Sequence, residues 1–355
     1  MVINMKKNLF ISFPLVCCLI ALSISACGSK AADAETVSES PLSAAASAAA
    51  ESAYPITIAH AFGETVIESK PERVVAIAWG NGDVPLALGV VPVGISEANW
   101  GVTDGGNLLP WTKERLEELG GSETTVVFDD TDGFDFEAIN ECEPDVILAA
   151  SSGMSQEEYE TLRAIAPTIP YPAGKAWQVS WREQILINAK AMGMEAEGEQ
   201  LVAERDKLLE EKLAAYPQLK GKTAAFAYIN PADLSSISFY TPTDTRGAFL
   251  TDLGFEFPAS LQAIAESSDS FYVSLSAENV DILSDIDILV AYALSDDAIE
   301  LTLADPLLGS IPALKRGGYC MIPEGPLSAA FSASVLSIPW SIDEILSRIA
   351  EAADQ

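Results

Sequence analysis

An unbroken apolar run, a turn, a helical pattern and a second apolar run follow one another repeatedly along this chain, and that order leaves few folds open. Arg73-Val74-Val75-Ala76-Ile77-Ala78 reads as a buried strand because its side chains are apolar on both faces. A helix fits Asp83–Leu88 and is closed by Gly89, and Val91-Pro92-Val93-Gly94-Ile95 reads as the next strand. Strand, helix and strand at this spacing form a parallel βαβ unit. The unit recurs with strands at Thr125–Phe128, Asp145–Ala149 and Thr168–Tyr171, and helices at Phe136–Cys142 and Ser155–Ile165. Ahead of them, Ile56-Thr57-Ile58 and Val66-Ile67 flank Phe62-Gly63-Glu64 as a hairpin.

After Lys222 the pattern restarts. Thr223–Ile229 is a strand, a helix follows Thr245, Asp287–Ala291 is a strand, a helix lies near Asp296–Leu303, and Tyr319–Ile322 is a strand. The two halves echo each other in detail. Phe134-Asp135-Phe136-Glu137-Ala138-Ile139 followed by Glu143-Pro144-Asp145-Val146-Ile147-Leu148 matches Val273–Val280 followed by Ser284-Asp285-Ile286-Asp287-Ile288-Leu289. Each reads as an acid-bearing short helix leading into a buried strand. Between the halves, Glu195 to Tyr216 is the longest helical pattern, with Leu201, Val202, Leu208, Leu209 and Leu213 on one face and Pro217 and Gly221 ending it. The predicted class is α/β: two similar lobes with central, mostly parallel sheets joined by one long backbone helix. The boundaries expected are 54–194 for the first lobe, 195–217 for the helix and 218–355 for the second lobe.

The N-terminus carries a different signal. Lys6-Lys7, an apolar stretch from Leu9 to Leu22 and small residues up to Ala26 describe a secretory signal peptide over residues 1–26. The stretch contains Pro14 and is shorter than the roughly 20 residues a span needs. Cys27 directly after Ile24-Ser25-Ala26 resembles a bacterial lipobox, in which the thiol is acylated. Lipid there would hold a water-soluble domain at a membrane face without spanning it. Residues 28–53 are rich in Ala, Ser and Glu and contain no aromatic residue, as a tether would.

Composition narrows the partners. The chain carries 52 acidic against 20 basic residues, a net charge of −32, and loss of Lys6 and Lys7 with the signal peptide takes it to −34. Such a surface repels nucleic acid and anionic lipid, and suits cations or neutral ligands. Half the residues are apolar, which allows a large core. Cys17 and Cys18 leave with the signal and Cys27 is acylated, so Cys142 and Cys320 remain, expected as buried free thiols in different lobes.

Catalytic and metal chemistry find little to work with. His60 is the single histidine, so a three-histidine or Cys/His metal site cannot be built, and a Ser-His-Asp triad would have to use it. No Gly-x-Ser-x-Gly elbow occurs. Gly221-Lys222-Thr223 ends like a Walker motif, but Tyr216 stands where its first glycine belongs. An extracellular α/β enzyme would need a nucleophile–base pair that is not visible here, and an adhesive surface lipoprotein would have no small ligand at all.

Aromatic residues in loops stand out instead. Trp79 follows the first buried strand and precedes Gly80-Asn81-Gly82; Trp100 follows the next strand; Trp177 lies in the loop after Thr168–Tyr171. In the second lobe Phe239-Tyr240-Thr241 ends a strand and Arg246 opens the helix after it. Carboxyl ends of parallel strands are where ligands settle in open α/β sheets, and aromatic faces with a few donors suit a bulky, partly apolar ligand. Arg246 could pair with ligand oxygens or with Asp244. Trp111, Trp181 and Trp340 read as packing residues.

Several stretches together resemble a known family: the substrate-binding lipoproteins of ABC importers for ferric siderophores, related to the ferric hydroxamate- and cobalamin-binding proteins. They are His60-Ala61-Phe62-Gly63-Glu64-Thr65, Lys70-Pro71-Glu72-Arg73-Val74-Val75-Ala76, Leu86-Ala87-Leu88-Gly89-Val90-Val91-Pro92-Val93-Gly94 and Glu143-Pro144-Asp145-Val146-Ile147-Leu148. The likeness covers roughly residues 54 to 350. It implies the class III periplasmic-binding-protein fold, a shallow cleft and small hinge motion. It also implies a monomer, lipid-anchored outside the cytoplasm, that hands an iron–siderophore complex to an ABC permease and its ATPase. The iron would travel inside the siderophore, with no metal or cofactor bound by the protein itself. Cleft residues would be Trp79, Trp100, Trp177, Tyr240 and Arg246. Glu137 and Glu278 match the two acids through which family members dock on the permease. A hydroxamate complex, neutral or cationic, is favoured over a triply anionic catecholate, for which Arg246, Lys175 and Arg182 would be the counter-charges. Cobalamin or haem is the alternative within the class.

Overall fold

The computed structural model describes residues 54–355 apart from Asp104 and Asp269. The expected signal peptide, Cys27 and the tether lie outside the described residues. Among the described residues, no helix is long and apolar enough to cross a membrane.

The strands in chain order are β1 (Ile56–His60), β2 (Gly63–Ile67), β3 (Val74–Ala76), β4 (Gly94–Ser96), β5 (Val126–Phe128), β6 (Val146–Ala149), β7 (Thr168–Pro170), β8 (Ala224–Tyr228), β9 (Ser236–Tyr240), β10 (Tyr272–Ser276), β11 (Ile288–Ala293) and β12 (Tyr319–Pro323). β1 and β2 form the antiparallel hairpin. The first five-stranded sheet has the order β5-β4-β3-β6-β7, and every neighbour runs parallel. The second has the order β10-β9-β8-β11-β12. Its β8, β11 and β12 are parallel, whereas β9 and β10 pair antiparallel.

Burial explains why these runs are strands. β3, β6 and β11 are buried at every residue, as strands covered by helices on both faces must be. Alternate residues of each sheet then serve different cores. Val74 and Ala76 of β3, with Phe226 and Val290 of the second sheet, belong to one continuous apolar core. Val75 and Ile77 face a smaller core over the outer side of the first sheet, and Ala225 and Leu289 face another over the second. The shared core is what makes the two halves one body.

Helix starts are written in the sequence. Ser155 and Ser180 each cap a helix in a reciprocal box with Glu158 and Glu183, which supplies partners for otherwise orphan backbone N–H groups. Asp135 caps Phe136–Glu141 by accepting from the Ala138 N–H at 3.0 Å. The long helix spans Glu195–Leu213, and 19 residues at about 1.5 Å each reach about 28 Å. It stops short of Tyr216 because Pro217 opens a 3₁₀ turn over Pro217–Leu219.

One stretch departs from the expected helix. Within the second copy of the echoed segment, Tyr272–Ser276 is β10, and a 3₁₀ helix begins only at Ala277. Val273 and Leu275 are buried while Tyr272, Ser274 and Ser276 face outward, and that period of two is a half-buried edge strand. Cys142 and Cys320 are free and buried, and burial pushes the Cys320 thiol up to about 12.

Candidate functional site

Every strand end of the first sheet delivers residues to one cleft. Trp79 leaves β3, Trp100 leaves β4, Phe134 follows β5, Gly153 and Met154 follow β6, and Trp177 follows β7. From the second half, Tyr228 ends β8, Tyr240 ends β9, Tyr292 lies near the end of β11, and Arg246 is the second residue of the helix Thr245–Asp252. The cavity is about 750 Å³, within the range of small-molecule sites.

The Trp79 loop is pinned from beneath. Asn81 is fully buried; its amide donates to the Ile77 and Ser151 carbonyls at 2.7 and 3.0 Å, and its oxygen accepts the Ser151 N–H at 3.1 Å. Gln184 donates to the Trp79 carbonyl at 2.9 Å. The Trp79 indole N–H reaches the Ser332 carbonyl at 3.4 Å, so this ring already touches the second half. Trp100 lies 5.7 Å from Tyr292 centre to centre, again across the halves, and its indole N–H has no hydrogen-bond partner among the described residues. Trp177 is 45 % exposed with a φ of 58°, standing on the rim. Gly153 permits that placement, since a Cβ there would lie 1.9 Å from the Trp177 Nε1.

Tyr240 and Arg246 form a unit. The guanidinium carbon sits 3.6 Å from the Tyr240 ring centre, a cation–π stack, and Asp244 holds the guanidinium in a fork at 2.7 and 2.6 Å. Burial works to lower this guanidinium, but Asp244 outweighs it and holds Arg246 above its usual range. Of the two partners open to Arg246 from sequence, it therefore takes Asp244, leaving its outer edge for anything in the cleft. Tyr240 reaches the cleft from an antiparallel strand, not from the carboxyl end of a parallel one as the reading of the sequence had it.

Other members escaped the sequence reading. Tyr292 is buried, stacks edge-on with Phe226 at 4.8 Å, and burial pushes its phenol up to about 12 against the pull of Arg246. It ends a buried parallel strand, so the rule that found Trp79 would have found it too. The acid lining was also missed. Asp83, Glu97, Asp130, Glu158 and Asp244 line the cleft, and among the described lining residues Arg246 is the single basic one. Burial raises the carboxyls of Asp83, Glu97 and Asp130.

Of the other residues singled out in the sequence, Trp111 also lines the cleft and the rest fall elsewhere. Lys175 pairs with Glu183, and Arg182 pairs with Asp206 and Asp252. Trp111 and Trp181 are buried, while Trp340 is 40 % exposed and tilts against Trp111 at 5.2 Å. His60 is buried in the hairpin, 2.9 Å from the Thr65 hydroxyl, and burial lowers its imidazole. Glu137 and Glu278 are exposed, each in the first turn of a short helix. No group of three or more His, Cys, Asp or Glu side chains that could hold a metal ion occurs among the described residues.

The family model described as periplasmic binding protein matches residues 74–324, which takes in both sheets from β3 to β12. The chain belongs to the periplasmic binding protein family. Among solved members, PiaA from Streptococcus pneumoniae TIGR4 in complex with ferrichrome is 45% identical with a TM-score of 0.80, covering 84% of this chain and 99% of that one. A second PiaA structure, described as an iron uptake ABC transporter substrate-binding protein, is 44% identical with a TM-score of 0.77, at the same coverage. The probable siderophore-binding lipoprotein YfiY of Bacillus subtilis is 26% identical over 297 residues, 82% of this chain and 81% of that protein. The Fe(3+)-citrate-binding protein YfmC of the same organism is 26% identical over 257 residues, 72% of this chain and 74% of that one. In this periplasmic binding protein the two-sheet α/β fold is thus that of the family, and the cleft lies where its two sheets point their strand ends at each other.

Proposed function

We propose that this protein captures a ferric siderophore of hydroxamate type outside the cytoplasm and delivers it to an ABC permease. The observation that carries the reading is the make-up of the cleft: aromatic rings from both halves around a lining with five carboxyl groups and one guanidinium, itself paired with Asp244. A neutral or cationic chelate suits that lining, and an anionic one is repelled. Lys175 and Arg182, the other counter-charges a catecholate could have used, are committed to carboxylates of the protein. The 45% identity to a protein crystallised with ferrichrome supports the same ligand class, against 26% to one named for Fe(3+)-citrate. Trp79, Trp100, Trp177, Tyr240 and Arg246 are the proposed ligand contacts, and iron is the cargo, carried inside its chelate.

Two further parts complete the reading. Residues 54–194 and 218–355 act as lobes on the helix within 195–217, and Glu137 and Glu278 meet the permease, one from each. Cys27 carries the lipid, as the lipoprotein names of relatives suggest. Cys27→Ala is expected to move the protein from the membrane fraction to the soluble one, and an unchanged membrane fraction would contradict the anchor.

A catalytic role has no support in the site. His60, on which a triad would depend, is bonded to Thr65 and lies beside Tyr159 within the first half, and none of the three lines the cleft. Cobalamin or haem would be distinguished directly. Titration of the protein with ferrichrome, ferrioxamine, a catecholate complex, haem and cobalamin, followed by quenching of intrinsic tryptophan fluorescence, is expected to show saturable binding for the two hydroxamates alone. Saturation by the catecholate, or by none of the five, rejects the proposal.

A further inference from the structure

The cleft is assembled from two halves, so its width depends on whatever holds them in register. Two buried or half-buried carboxyls do so in a reciprocal way. Asp83 opens the helix Asp83–Ala87, four positions after Trp79, and is 3 % exposed. Within its own half it accepts from the Trp111 indole at 3.0 Å and the Thr112 hydroxyl at 2.7 Å. Its third donor is the Ser334 hydroxyl, from the second half. The Ser334 oxygen is itself taken by the Ser337 N–H at 3.0 Å, which leaves the hydroxyl proton for Asp83.

Asp252 mirrors this arrangement from the other side. It is the last residue of the helix Thr245–Asp252, whose second residue is Arg246. It accepts from the Trp181 indole at 2.7 Å and from the Arg182 guanidinium at 2.7 Å, both in the first half. Arg182 is braced in turn by Asp206 of the long helix at 2.6 Å and by stacking 4.2 Å over the Trp181 ring. Each carboxyl therefore sits on the helix that follows or carries a cleft residue, and each is gripped by donors from the opposite half.

We propose that Asp83 and Asp252 are positioning residues for the cleft, whose crossing hydrogen bonds fix the separation at which Trp79 faces Arg246. A chelate gripped from two sides needs that separation to be set before it arrives, because ordering the halves on binding would cost affinity. This rests on the cleft being the ligand site, but the ties themselves are a property of the free protein.

The test separates the crossing donor from a donor in the same half. Full-length protein would carry spin labels on bio-orthogonal side chains at the exposed positions Glu123 and Asp233, one in each half, and the distance distribution would be read without ligand by double electron–electron resonance. Ser334→Ala and Asp252→Ala are each expected to broaden the distribution and to weaken ferrichrome binding about fivefold to tenfold. Thr112→Val removes a donor to Asp83 from its own half, and is expected to leave the ligand-free distance distribution as in the unaltered protein. A distribution unchanged in both crossing variants, or broadened as much by Thr112→Val, overturns the proposal. Because that distance is read without ligand, its outcome does not depend on whether the unaltered protein binds ferrichrome.

Discussion

Trp100→Ala is expected to weaken ferrichrome binding by at least about tenfold. The part-buried indole follows β4 and tilts against Tyr292 of the second half at 5.7 Å between ring centres, and its buried N–H has no hydrogen-bond partner among the described residues. A tryptophan can bury some 150–250 Å². Trp100 is already part-buried, so if ligand covers about a third of that, then at about 25 cal/mol per Å² the loss is about 1.3–2 kcal/mol, or about tenfold to thirtyfold in affinity. Collapse would not soften the effect. Gly101, at φ 79°, already brings the backbone against Ala329 and the Gly325 carbonyl, where a Cβ would lie 2.5 and 2.9 Å away, so the loop has no room to close over the gap. Calorimetric titration of ferrichrome into the variant checks this. A loss smaller than about threefold would remove Trp100 from the ligand surface.

Reversing both exposed acids together should abolish uptake while sparing ligand binding. Glu137 follows the Asp135 cap and Glu278 follows Ser276, whose hydroxyl caps the 3₁₀ helix, so each carboxylate is held at a fixed helix start and faces solvent. Neither lines the cleft. Glu137→Arg with Glu278→Arg places two cations where arginines of a permease would approach, and like charges at such a contact cost several kcal/mol. Uptake of ⁵⁵Fe-ferrichrome by cells producing the double variant is expected to fall to the level of cells without the protein. Ferrichrome affinity of the purified variant should stay within about twofold of the unaltered protein, because the acids are solvated and distant from the ligand. Normal uptake would refute the docking roles, and lost affinity would show that the acids act on the cleft instead.

The strands of the first half are legible because they are apolar on both faces, whereas the helices Pro110–Glu118 and Trp181–Ala191 are absent from the sequence reading, although Ser180 with Glu183 marks the start of the second. The second half was harder at β9 and β10. Val273 and Leu275 alternate with outward residues as an edge strand does, but the match of Val273–Val280 to the capped helix of the first half points to a helix there. Loop tryptophans are found from strand ends, and Tyr292, which directly follows the predicted strand Asp287–Ala291, falls under the same rule. The crossing pairs had no local signal: Arg182 and Asp252 meet only once the chain is folded, as do Asp83 and Ser334. Charge was legible in total but not in place. A net charge of −32 did not reveal that five of the acids would line the cleft with a single guanidinium among them.

That lining also bears on stability. Burial raises the Asp83 carboxyl above its unfolded value, and a group raised on folding favours the native state at pH below that unfolded value. The favour is lost as pH climbs through the folded value. Asp83 therefore costs stability near neutrality, and its place beneath Trp79 is consistent with a role in positioning.

Iron K-edge absorption spectroscopy of ferric ferrichrome, free and bound, puts the whole reading to one trial. If indole and phenol rings hold the chelate by its outer surface, the metal's oxygen shell will be the same in both samples. A new nitrogen or oxygen from the protein in that shell, or loss of a hydroxamate oxygen from it, would mean that this chain binds the ion itself.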